Sequence, residues 1–90
     1  MGIFNWWNGL ARPKDRSEVD RLEALAEAAY ARMYGAKDRC EVKMCWEDAS
    51  RHFFEAIEAA KRLHLASDVQ RLTARKCHCH AVWHSQFRGV

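Results

Sequence analysis

Residues 38–64 read Asp38-Arg39-Cys40-Glu41-Val42-Lys43-Met44-Cys45-Trp46-Glu47-Asp48-Ala49-Ser50-Arg51-His52-Phe53-Phe54-Glu55-Ala56-Ile57-Glu58-Ala59-Ala60-Lys61-Arg62-Leu63-His64. The stretch opens on an Asp followed three residues later by a Glu. That is the spacing at which two side chains satisfy the orphan N–H groups of a helix start. Val42, Trp46, Ala49, Phe53, Ala56, Ile57, Ala60 and Leu63 then recur at helical spacing. Glu47, Arg51, Glu55, Glu58 and Arg62 lie on the opposite side, several one turn apart and opposite in sign. These features predict one long amphipathic helix over 39–64. A helix with a single apolar stripe must bury it against other elements, so this segment decides the fold class.

Its neighbours supply those elements. Ser17-Glu18-Val19-Asp20 predicts a helix start, and Gly35 stands where a left-handed C-cap would end that helix, which places it over 18–34. Ser67-Asp68-Val69-Gln70 repeats the capping spacing and predicts a third helix over 68–87. The first stripe comprises Val19, Leu22, Ala26, Ala29, Tyr30 and Met33, and the third Leu65, Val69, Leu72, Cys79, Trp83 and Phe87. Short connections make successive helices antiparallel neighbours. The expected fold is all-α: a three-helix up-down-up antiparallel bundle over 17–90, with an aromatic and basic leader over 1–16 packed against it. Small alanines on the first helix leave room for Trp46 and Trp83 to meet, at the end away from the second turn.

The second helix looks longer than the first. An antiparallel pairing therefore ends the first helix level with Ala56 and leaves Ile57, Ala60, Leu63, Val69 and Leu72 uncovered at the far tip. An uncovered apolar patch on a small protein is packed or is a binding site. The leader offers a cover, because Ile3, Phe4, Trp7 and Leu10 fall on one helical face with Trp6 beside them. The competing reading makes the leader an anchor for a partner or a membrane surface.

Length and composition bound the function. Ninety residues make one small domain, and 49% hydrophobic with 30% charged residues is a globular balance. The net charge of +3 is spread thinly over both ends, which argues against nucleic acid as a partner. No apolar run approaches the roughly 20 residues of a membrane span, and no secretory signal is read at the N-terminus. A cytoplasmic location is expected, where thiols stay reduced. No Gly-rich phosphate loop, nucleophile elbow or paired carboxylates are present, so no catalytic residues are expected and the chain is read as not an enzyme.

The chemistry-bearing run is Cys77-His78-Cys79-His80, followed by His84. On a helix these five residues disperse. Cys79 joins the core stripe, His78 faces solvent, and Cys77 and His84 stand about 10 Å apart along the axis. The usable pair is His80 with His84, at the i,i+4 spacing of helical zinc sites. Antiparallel pairing brings Cys45 level with them, with Asp48 or water as a fourth ligand. The metal candidates are therefore His80, His84 and Cys45, with zinc as the one possible cofactor and otherwise none. A further alternative is weak nucleic-acid binding through the basic third helix, where Arg71, Arg75 and His78 share an outer face.

Ala49, Phe53 and Ala56 resemble the second helix of a tetratricopeptide repeat over about eight residues. The first-helix positions of that repeat are unmatched and no second repeat follows. The leading expectation is a small cytoplasmic protein–protein interaction module that presents a helix face or groove to a protein partner or a second copy. Its candidate contact residues are Trp6, Trp7, Phe54, Arg71 and Arg75.

Overall fold

The computed structural model describes residues 16–87. They form three helices, α1 (Arg16–Arg32), α2 (Arg39–Arg62) and α3 (Ala66–Val82), packed as an all-α up-down-up bundle. A 3₁₀ turn, Met33–Gly35, follows α1, and a π turn, Trp83–Phe87, extends α3. The leader residues Trp6 and Trp7, and the rest of 1–15, lie outside the described residues.

α2 is the central element. Its buried set is Cys45, Trp46, Ala49, Phe53, Ala56, Ile57, Ala59 and Ala60, around a fully buried Phe53. Cys45 and Ala59 broaden the expected stripe, because α2 packs on α1 along one flank and on α3 along the other. The α1–α2 contact is the most extensive in the bundle. Ala26 and Ala29 on α1, and Ala49 and Ala56 on α2, are all fully buried, and their small side chains let the two backbones approach closely. Burying a side chain the size of Phe53 contributes about 1.5–3 kcal/mol.

The two connections close by different devices. Asp38 caps α2 as expected: it is extended at φ −149° and its carboxylate accepts the Glu41 N–H at 2.9 Å. Glu41 completes the reciprocal arrangement one residue earlier than the ideal box, accepting from Lys37 N–H at 3.2 Å. Gly35 is not the left-handed cap that its identity suggested, since no glycine among the described residues has positive φ. α1 instead tightens into the 3₁₀ turn, where Ala36 N–H donates to the Met33 carbonyl at 3.3 Å. The left-handed residue is His64, at φ 59°, just after α2. Leu65 N–H donates to the Ala60 carbonyl at 2.9 Å and His64 N–H to that of Lys61 at 3.1 Å. This paired pattern is the Schellman ending of a helix, with histidine in the place usually taken by glycine.

α3 starts two residues before its expected position. Leu65 occupies the cap position without a side-chain bond, and Ser67 is not the cap. Asp68 is drawn instead into an ion pair with Arg16 at 2.9 Å and is 4% exposed. The expected hairpin tip is not bare. Ile57, Ala60 and Leu72 are buried, and Leu63 and Val69 are half-buried.

Candidate functional site

The end of the bundle opposite the α2–α3 turn gathers most of the aromatic side chains among the described residues. Trp46 of α2 and Trp83 at the end of α3 stack there, 5.6 Å between ring centroids and 13° between planes, as their stripes predicted. His80 leans on both, at 5.7 Å from Trp46 and 6.0 Å from Trp83. A second chain of rings closes the same end. Tyr30 meets Tyr34 edge-on and hydrogen-bonds its hydroxyl at 3.1 Å, and Tyr34 meets Phe87 edge-on at 5.1 Å. Burial, aided by the Tyr34 bond, pushes the Tyr30 phenol up to about 12.

Between these ring systems lies a groove of about 310 Å³, lined by Arg39, Val42, Lys43, Trp83 and Phe87. Helical spacing explains the lining. Residues 39, 42 and 43 share a flank of the first two turns of α2, and residues 83 and 87 share a flank of the π turn. Val42, Trp83 and Phe87 are half-buried and form an aromatic floor, while Arg39 and Lys43 are exposed on the rim. Neither cation makes an ion pair among the described residues. Both also sit toward the positive end of the α2 dipole, where acids rather than bases stabilise a helix. Among the described residues the groove thus combines two unneutralised charges with aromatic surface and offers no nucleophile, carboxylate or imidazole.

The other cations are placed differently. Arg71 pairs with Glu23 and lies 3.8 Å from Asp68. Arg75 grips Glu27 with two hydrogen bonds of 2.7 and 2.9 Å and lies over the Tyr30 ring at 5.2 Å. Together with Arg16–Asp68 these pairs form a ladder between the parallel helices α1 and α3. Arg71 and Arg75 are therefore not the free outer face expected from the sequence: α1 glutamates answer them. The Arg75 bonds hold the Glu27 carboxyl below its usual range. Phe54 is exposed at 53%, as expected, with the Lys76 ammonium 5.6 Å from its ring centroid.

Among the described residues, no three His, Cys, Asp or Glu side chains are placed to hold one metal ion. The trio His80, His84 and Cys45 does not converge. Cys45 is buried in the core, whereas both histidines are exposed. The His80 and His84 rings do neighbour each other, at 6.1 Å. Cys79 is fully buried, and burial pushes its thiol up. Cys77 and His78 are exposed.

Arg39 and Lys43 are the residues that the stripe analysis passed over. Their signal is present in the sequence, as bases in helix turns that favour acids. No helix among the described residues is long and apolar enough to cross a membrane. Comparison with known families, with curated proteins and with solved structures finds no match.

Proposed function

We propose that this chain is a small protein-binding module that takes an acidic, amphipathic segment of a partner protein across the open end of its bundle. The observation that carries this reading is the pairing of Arg39 and Lys43 with the aromatic floor of Trp83 and Phe87. Apolar side chains of a partner helix at i and i+4 fit such a floor, and carboxylates beside them meet the rim cations. Charge complementarity selects this occupant: among the described residues the groove has two cations and no acid. The ladder between α1 and α3 leaves Arg71 and Arg75 little charge to offer elsewhere.

The test uses a Glu/Leu amphipathic peptide of about 15 residues, long enough to form a helix when bound, and a version with Lys in place of Glu. Tryptophan fluorescence reports binding. The acidic peptide binds in a saturable manner and the basic one does not. The double variant Arg39→Gln/Lys43→Gln weakens acidic-peptide binding about tenfold. The same variant melts at or slightly above the parent, because it removes bases from the positive end of a helix. Equal binding of both peptides, or undiminished binding by the double variant, overturns the proposal.

A further inference from the structure

The exposed pair His80 and His84 stands one helical repeat apart where α3 passes into its π turn. Their ring centroids are 6.1 Å apart with the planes at 58°. His80 is braced by Trp46 and Trp83. No hydrogen bond to the His80 ring is formed among the described residues. π turns recur at functional positions in helices, and this one carries His84.

We infer that His80 and His84 form a two-imidazole chelate for a borderline divalent transition-metal ion of the nickel, copper and zinc class. Neutral imidazole suits these ions, and the i,i+4 spacing on a helix aims two rings at one point. Nitrogens bound at 2.0–2.1 Å in a tetrahedral site put ring centroids roughly 5 Å apart. The pair reaches that separation by closing about an ångström through side-chain rotation. Water fills the remaining coordination positions. Cys45 has no part in the site, which distinguishes it from a closed structural zinc site. The ammonium of Lys76, one turn earlier on α3, is drawn over the Phe54 ring. The site shares Trp83 with the groove but takes no ligand from Arg39 or Lys43, so it stands or falls independently of the peptide reading.

The two stacked tryptophans make the site its own reporter. Ni²⁺ is the probe, because it binds imidazole, quenches nearby indole emission and does not oxidise thiols as copper does. The untagged full chain is titrated with Ni²⁺, then with chelator. Quenching is saturable, fits one ion per chain and reverses with chelator. His80→Ala and His84→Ala each weaken binding about tenfold or more, and His80→Gln does the same. His78→Ala and Cys77→Ser leave the affinity within about twofold of the parent. Thermal melts of each variant separate lost binding from lost fold. Non-saturable quenching overturns the inference. So does retention of affinity in either histidine variant that still folds, or its loss in Cys77→Ser.

Discussion

His64 and Gly35 show how a single backbone position decides local stability. His64 holds a left-handed conformation that costs an L-residue about 1–2 kcal/mol. Glycine adopts it without that cost but has more freedom to lose on folding. His64→Gly is therefore expected to stabilise the protein by about 1 kcal/mol. For a domain of this size that raises the melting temperature by about 4–8 °C in a calorimetric scan. Gly35 presents the reverse case. Its φ is not positive, and a Cβ built there meets nothing within 4 Å. Gly35→Ala is expected to raise stability by about 0.4–1 kcal/mol, by restricting the unfolded chain. A loss in a urea titration would show that the turn needs glycine after all. Sequence identity pointed to the wrong residue of the two, because a glycine permits the left-handed conformation without requiring it.

At the scale of elements, α1 and α3 are joined differently from α1 and α2. The α1–α2 contact is built on alanines, and the α1–α3 contact on the ladder Arg16–Asp68, Glu23–Arg71 and Glu27–Arg75. The bidentate Glu27–Arg75 pair is half-exposed, so solvent screens it. A double-mutant cycle with Glu27→Gln and Arg75→Gln is expected to give a coupling of about 0.5–1 kcal/mol that shrinks in high salt. The pH dependence has a definite sign. Arg75 lowers the Glu27 value in the folded state from its ordinary 4.5, so the unfolded chain binds the proton more readily. The stabilisation is present above about 4.5 and is lost as pH falls through the lower folded value. Glu27→Gln removes that part of the acid sensitivity, which melts on both sides of pH 4.5 would reveal. The individual charges were visible in the sequence. Their pairing was not, since partners 48 or 52 positions apart meet only when α3 lies beside α1 in parallel.

For the whole molecule, the four cysteines provide a map of the fold. Cys40 and Cys77 are exposed, whereas Cys45 and Cys79 are buried. A thiol reagent added to the native protein should label two cysteines quickly and the other two only through unfolding. Denaturant should expose all four. Rapid labelling of Cys79 would mean that α3 separates from α2 in the native state. The cysteines lie on α2 and α3, and Cys79 is shielded only when α3 is docked.

Local rules determined the helical class, the cap at Asp38 and the three apolar stripes. Each depends on spacings within about one or two helical turns, which primary sequence records directly. Tertiary structure alone decided which side chains reach across helices. It gave Arg71 and Arg75 to α1, buried Cys45 away from the histidines, and left Arg39 and Lys43 as rim charges on an aromatic groove. The physical reason is reach: long side chains choose partners by the relative placement and rotation of whole helices. That placement follows from packing the entire core, and no short segment of the chain contains it.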